Sequence, residues 1–316
     1  MKTEQFFLVL TTAQAQPALT LPIVRGTSLA ATRHGLKAGA TRWLKAGQAV
    51  EISLTGNCDP AILMRQMRAH LGQNPVDVFV VPAENRRKRL LLADMDSTII
   101  PHESLDDLAA FAGVEAEVAD ITTRAMAGEL DYNESLRARV ALIEGLPLSH
   151  VADMLPDIAC NPGAATLVHT MRAHGARTVL VTSGFRQFAQ HVQTLAGFDV
   201  IQSNIFEETP DGRVAGVRDP ILNRDSKGEA LARHAAELGI DPDDAMAVGD
   251  GANDLSMLTA AGYGVAYRAK SLLRHRLDLQ INHSDLTALL YLQGYSADQF
   301  VSAGEPEAPK AIRILR

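Results

Sequence analysis

The sequence predicts a doubly wound α/β protein whose parallel sheet carries an inserted helical subdomain, joined to a small N-terminal α+β domain. Three observations lead there. From Leu90 onward, nearly continuous apolar runs (LLLADMD, TVLVTSG, VIQSNIF, AMAVGDG and YGVAY) each lead into a helical pattern, as strands buried on both faces by helices do. The first two of these runs are separated by about 80 residues, far more than a crossover helix needs. Before Leu90, shorter strand-like and helical stretches alternate without that continuous apolarity.

With 316 residues, 47% hydrophobic and 21% charged, the chain is large enough for two domains and a sizeable core. No apolar run approaches the roughly 20 residues of a membrane span. Cys58 and Cys160 form no CxxC pair and stand near no histidine cluster, so they are expected to be free, buried thiols. Residues 1–85 carry 8 Lys/Arg against 5 Asp/Glu, whereas the remainder carries 22 against 32, and that acidic part should repel nucleic acid.

The N-terminal stretch MKTEQFFLVLTTAQAQ mimics a signal peptide, with Ala13-Gln14-Ala15 as a cleavage site. Glu4 stands in what should be a basic region, and the apolar run FFLVL is shorter than the roughly 7 to 15 residues of a signal core. Phe6–Leu10 is therefore read as a first strand, and the protein as cytoplasmic. AVEISL and VDVFVV read as further strands. Between them, Ile62, Leu63, Met67 and Leu71 recur at helical spacing, with Asp59 as N-cap and Pro60 in the first turn. Pro82 closes this domain at about residue 85. AENRRKR follows as a linker, either a solvated hinge or a domain-docking segment in preference to a nucleic-acid contact.

The second domain, 86–316, holds the insert at about 101–158. Its sequence is helical: Leu105, Leu108 and Phe111 share one face, Leu136, Val140 and Ile143 another, with breaks at Gly113, Gly128 and Gly145-Leu146-Pro147. ETPDGRVAG reads as a structural β-hairpin turning at Asp211-Gly212.

The chemistry-bearing residues cluster at strand ends. Asp94 and Asp96 sit two apart at the carboxyl end of the LLLADMD strand, where alternation sends both side chains to one side. Paired carboxylates there call for a cation, and a divalent ion held by oxygens meets the need. Val181-Thr182-Ser183-Gly184-Phe185 runs into a helical stretch, offering backbone N–H groups to a phosphate, although Ser183 alone also fits an ordinary N-cap. Lys227 lies just inside a helix capped by Asp225 or Ser226, where a cation opposes the macrodipole and asks for an anion nearby. Gly249, Asp250, Gly251, Asn253 and Asp254 form a loop after another apolar strand. In open parallel sheets ligands bind at that edge, where strand order reverses.

In this order, DxDxT at 94–98, Ser183, Lys227 and GDGxND at 249–254 resemble the haloacid dehalogenase-like superfamily. The insert resembles the helical cap of the phosphoserine phosphatases, through Glu103, Met126, Tyr132, Arg139 and the string SLRxRV at 135–140. Position 132 is Tyr where that family often has Phe, and TSGF stands where Ser-Gly-Gly-Phe is frequent. Residues 1–85 resemble the ligand-sensing βαββαβ (ACT-like) modules of amino-acid biosynthetic enzymes, which leaves serine sensing, homodimerisation and packing open as roles.

The resemblance implies hydrolysis of O-phosphoserine as the last step of serine synthesis. Asp94 would be the nucleophile, forming an aspartyl-phosphate, and Asp96 the general acid and then base. Mg²⁺ would be held by the Asp94 carboxylate, the Asp96 carbonyl and Asp250. Ser183, the Gly184 N–H and Lys227 would grip the phosphoryl oxygens, with Asn253 and Asp254 orienting Lys227 and water on the ion. Glu103 and Arg139 would take the substrate's ammonium and carboxylate, and Met126 and Tyr132 would wall the pocket. For Glu103 and Arg139 the alternative is a surface or intra-cap salt bridge. Asp96 favours phosphate chemistry over dehalogenation, since a halide needs no proton. A phosphatase of phosphohomoserine or phosphothreonine, and a catalytically silent amino-acid-binding regulator, are the rival readings.

Overall fold

The computed structural model describes residues 4–126 and 129–302, with Met126 described in its backbone alone. The chain begins with β1 (Glu4–Thr11), α1 (Leu21–Thr32), β2 (Lys37–Lys45), β3 (Ala49–Gly56), α2 (Pro60–Leu71) and β4 (Asp77–Pro82). These strands form one antiparallel sheet in the order β2-β3-β1-β4. Asp59 caps α2 by accepting from the Ala61 and Ile62 N–H groups. Leu63, Met64, Met67 and Leu71 form the inward stripe of α2, while Ile62 is 46% exposed and so faces away from the core it was expected to join. Two elements here, α1 and the exposed edge strand β2, have no counterpart among the runs read from the residues, although the βαββαβ resemblance implies both.

Strand alternation decides what each face of this sheet covers. Phe6, Leu8, Leu10, Val50, Ile52 and Leu54 pack under the helices. Val9, Ala49, Phe79 and Val81 point the other way and share a core with the rest of the chain. The basic segment is part of this junction. The Arg86 Nη1 donates to Glu51 Oε2 at 2.7 Å and its Nε to the Leu292 carbonyl at 2.8 Å, with the guanidinium 4.3 Å from the centre of the Phe7 ring. Lys88 donates to the carbonyls of Asn85 and Asp243. Arg86 and Lys88 are thus buried docking groups and not a solvated hinge.

The chain continues with β5 (Leu90–Ala93), a helical insert of α3 (Ser104–Ala112), α4 (Glu115–Met126), α5 (Tyr132–Ala141) and α6 (Leu148–Met154), then α7 (Ala164–Ala173), β6 (Arg177–Phe185), α8 (Arg186–Ala196) and β7 (Val200–Asn204). A hairpin of β8 (Phe206–Glu208) and β9 (Val214–Val217) precedes α9 (Arg224–Leu238), β10 (Ala245–Gly249), α10 (Leu255–Ala260), β11 (Tyr263–Tyr267), α11 (Ser271–Arg276), β12 (Gln280–Ile281) and α12 (Ala288–Leu292). The six strands β12-β11-β10-β5-β6-β7 form one parallel sheet.

Leu91, Ala93, Leu180, Met246 and Val248 bury one face of that sheet, and Leu90, Leu92, Val179, Ala245 and Ala247 the other. Such two-sided burial is why the strands read as unbroken apolar runs. Succession runs outward from β5 to β7, returns to β10 and proceeds to β12, so the order reverses at β5 and opens a crevice at its carboxyl end.

In the insert, α5 opens with a capping box between Asp131 and Glu134. Leu105, Leu108, Leu136, Val140 and Ile143 are buried, but Phe111 is 51% exposed, rotated off the face it was expected to share. The hairpin props this insert: Val214 N–H donates to the Leu146 carbonyl and Arg137 reaches the Val217 carbonyl. Both cysteines are free, though only half-buried. No described helix is long and apolar enough to cross a membrane.

Candidate active site

Four segments converge on the crevice: the turn after β5, the end of β6, the start of α9 and the turn after β10. Asp94 follows the last residue of β5, and its N–H donates to the Val248 carbonyl at 3.0 Å, which fixes it beside β10. Lys227 Nζ donates to Asp94 Oδ1 at 2.6 Å and to Asp254 Oδ1 at 2.5 Å. Its side chain is 2% exposed. Burial alone would lower its ammonium; Asp254 and Asp94 outweigh that and hold it above its ordinary value. The helix bearing it is capped by Asn223, not by Asp225 or Ser226, because helical geometry already begins at Arg224.

Asp254 uses both oxygens within the chain. Oδ1 takes Lys227, and Oδ2 accepts from the Asp250 and Gly251 N–H groups at 3.1 and 3.0 Å. Gly249 makes room for it, since a Cβ there would overlap the Asp254 carboxylate. Asp250 accepts from Thr98 Oγ1 at 3.4 Å and lies 3.9 Å from the exposed Lys270 ammonium. Asn253 is half-buried in the same turn.

Asp94 and Asp96 lie near enough for their charges to act on each other, although β5, whose alternation was expected to align them, ends at Ala93. Asp96 Oδ1 accepts from the Ser104 N–H at 3.0 Å. A Cβ on Gly184 would lie 2.9 Å from Asp96 Oδ2, so the β6 backbone approaches this carboxyl closely enough to require glycine. Burial, followed by Glu103, raises the Asp96 carboxyl to about 7. Burial, followed by Asp254, raises Asp250 to about 6 and pushes Asp94 well above the carboxylate range despite Lys227.

Ser183 lies inside β6 and not at a helix N-terminus, because the strand runs on to Phe185 before α8 begins. Its carbonyl accepts from Asn204 Nδ2 at 2.7 Å. Burial raises the Tyr132 phenol. The Gly184 N–H donates to Thr182 Oγ1 at 2.8 Å, so that donor is engaged within the chain. Glu103 Oε1 accepts from Ser97 Oγ at 2.8 Å, and the Arg139 Nε reaches the Ser135 carbonyl at 3.4 Å. Among the described residues neither of these two forms a salt bridge. Asp106 stands near both and had no signal in the sequence beyond its place in the first turn of α3. The Met126 side chain lies outside the described residues.

Among the described residues, oxygens of Asp94, Asp250 and Asp254 lie within 4.8 Å of one another. One buried ammonium does not balance Asp94, Asp96, Asp250 and Asp254; burial first, and neighbouring carboxylates after it, raise Asp94, Asp96 and Asp250. The donors are hard oxygens, so the cluster fits a hard divalent cation. Asp254 is saturated, leaving Asp94 and Asp250 as the carboxylates with capacity for it.

Residues 88–262 match the haloacid dehalogenase-like hydrolase family model. A phosphoserine phosphatase of Streptomyces coelicolor is 42% identical over 231 residues, covering 72% of this chain and 56% of that protein. The chain thus spans about half the length of the first curated relatives it matches. A phosphoserine phosphatase of Polaromonas is 42% identical over 65% of this chain and 89% of its own length. Among solved structures, a HAD family hydrolase from Salmonella enterica serovar Typhi superposes with a TM-score of 0.80 at 28% identity, over 91% of this chain and 98% of that one. A phospho-aspartyl intermediate analogue of phosphoserine phosphatase superposes with a TM-score of 0.60 at 36% identity, over 65% and 98%. The chain belongs to the haloacid dehalogenase-like hydrolases, on the branch of the phosphoserine phosphatases.

Proposed function

We propose that the protein hydrolyses O-phosphoserine to serine and phosphate through an aspartyl-phosphate on Asp94, as the closing step of serine synthesis. The observation that carries this reading is the unequal treatment of two neighbouring carboxyls. Asp94 has one oxygen anchored by the Lys227 ammonium and the other available for attack, while Asp96 has no ammonium on it among the described residues and accepts from the Ser104 N–H, a neutral donor that leaves its carboxyl free to give and take a proton.

Asp94 attacks phosphorus as Asp96 protonates the departing serine oxygen. Asp96 then removes a proton from the water that attacks the aspartyl-phosphate. Ser183, Lys227 and the Gly184 N–H hold the phosphoryl oxygens, which requires the Gly184 N–H to exchange its Thr182 partner for phosphate. The Asp94 carboxylate, the Asp96 carbonyl and Asp250 are the ligands assigned to Mg²⁺, which when bound neutralises phosphate charge facing a carboxylate nucleophile. Asp254 keeps Lys227 in place, and Asn253 orients the groups around it. Glu103 and Arg139 take the substrate's ammonium and carboxylate, with Tyr132 and Met126 as the wall. The helical insert acts as a cap that excludes water from the phosphoenzyme.

Residues 1–85 are read as an ACT-like domain on the support of their βαββαβ order. Its shared core with residues 86–316 favours packing over a tethered sensor or a dimerisation arm.

Phosphate release from O-phosphoserine with Mg²⁺, set against phosphothreonine and phosphohomoserine, tests the substrate. Phosphoserine should be turned over with the highest kcat/KM, and preference for either rival would replace this reading. Acid-quenched protein should carry covalent phosphate, and Asp94→Asn should carry none.

A further inference from the structure

Ser97 adopts φ 54° and ψ 3°, left-handed backbone in which a residue with a Cβ is uncommon. What the conformation accomplishes is local. It turns the chain after β5 so that the Ser97 N–H donates to the His102 carbonyl at 3.0 Å and the Ser97 hydroxyl donates to Glu103 Oε1 at 2.8 Å. The adjoining Ser104 N–H donates to Asp96 Oδ1 at 3.0 Å, so one closed loop places Glu103 beside the proposed general acid.

Glu103 occupies the N-cap position of α3, yet its side chain makes no capping bond. It is exposed, and no basic side chain among the described residues pairs with it. A glutamate in that position ordinarily samples several rotamers, and ordering it costs free energy at the moment of binding. The Ser97 hydroxyl removes that freedom in advance, engaging Oε1 and leaving Oε2 for a ligand.

We infer that Ser97 is a positioning residue, whose hydroxyl aims the Glu103 carboxylate so that the site selects phosphate monoesters bearing an ammonium group over amine-free ones. The inference rests on the proposed phosphoserine reading and adds the residue that sets its amine selectivity.

The test compares steady-state kinetics of the full chain with Mg²⁺ on O-phosphoserine and on 3-phosphonooxypropanoate, which lacks the amine. Ser97→Gly keeps the left-handed turn and deletes the hydroxyl. It should raise KM for phosphoserine about tenfold, the scale of one hydrogen bond to a charged group. Its kcat, and both constants for the amine-free ester, should stay within about twofold of wild type by the same reasoning. Ser97→Asn, which tolerates that backbone and offers an amide donor, should recover part of the selectivity. In a Glu103→Ala background, Ser97→Gly should change selectivity no further.

Unchanged selectivity in Ser97→Gly, an equal fall in kcat on both esters, or an additive effect on top of Glu103→Ala would overturn the inference. Wild-type protein that itself ignores the amine would refute the substrate reading, and this inference with it. Failure confined to Ser97→Gly leaves the substrate reading standing.

Discussion

Lys227 Nζ lies 2.6 Å from Asp94 Oδ1 and 2.5 Å from Asp254 Oδ1, so one buried ammonium ties the end of β5 to the turn after β10. The pairing leaves Asp94 a fixed direction and a second oxygen facing the crevice. It also makes the lysine a structural tie, since neither carboxylate has another cation at that distance among the described residues.

Replacing Lys227 by Met should therefore strand two buried carboxylates. Removing one side of a buried pair costs about 3–5 kcal/mol, and removing a donor to the transferring group costs about a hundredfold to a thousandfold in kcat. Urea unfolding and phosphate release measure the two losses. Because the Lys227 ammonium is held above its ordinary 10.5, the lysine is fully charged below that pH and its contribution fades only above it. The stability gap between wild type and Lys227→Met should accordingly persist from pH 6 to pH 9, and a gap that closed within that range would refute the assignment.

Burial raises Asp96 from 3.8 to about 7 and Asp250 to about 6. A folded carboxyl raised above its unfolded value stabilises fully below the unfolded value, and that contribution is lost as pH climbs through the folded one. The metal-free protein should thus lose stability from these groups between pH 4 and pH 7. Mg²⁺ favours the ionised forms, so the rise in Tm on adding it should be larger at pH 7 than at pH 5. A larger rise at pH 5 would contradict the proposed ligands.

A methyl group on Gly249 would occupy the space of the Asp254 carboxylate. Gly249→Ala should displace Asp254 from Lys227, destabilise by about 1–3 kcal/mol, and lower kcat more than KM. Retention of wild-type Tm and kcat would show that the turn after β10 yields without disturbing the lysine.

Glu51 accepts from Arg86 at 2.7 Å and from Arg42 at 2.7 Å in the junction between the two sheets. Glu51→Ala leaves Arg86 buried without its carboxylate and should cost about 3–5 kcal/mol. Deleting residues 1–85 should expose the apolar face that Val9, Phe79 and Val81 now cover, lowering Tm and solubility. A truncated chain as stable as the full one would favour an independent appended module.

Much of the site was legible because its residues stand at ends of strands buried on both faces. The runs ending near Asp94, Gly184 and Gly249 announce such strands by composition alone, and the DxDxT and GDGxND strings mark the turns that follow. Less legible were elements with weak or one-sided patterns. The first helix contains Gly26, Thr27 and Ser28 and has no side-chain cap, and β2 is an exposed edge strand with two register shifts, so neither carries a clear period. Phe111 lies just beyond the edge of its packed stripe, a distinction that spacing does not resolve, whereas Ile62, next in sequence to Leu63, is turned about 100° away from the stripe of α2.

By itself the sequence determined the parallel sheet, the helical insert and the identity of the polar residues at the strand ends, because burial on both faces and short turn motifs are written in consecutive residues. Only the tertiary structure decided who pairs with whom: Lys227 with Asp94 and Asp254, Gly184 with Thr182, Ser97 with Glu103, and Arg86 with Glu51. Those pairings depend on side-chain directions and on which strands become neighbours, and the Asp96 carboxyl is raised by the burial and by the nearby Glu103 that folding provides. Distance in space sets these energies, and separations of 35 to 133 residues along the chain for the longest of these contacts leave no local pattern from which to read them.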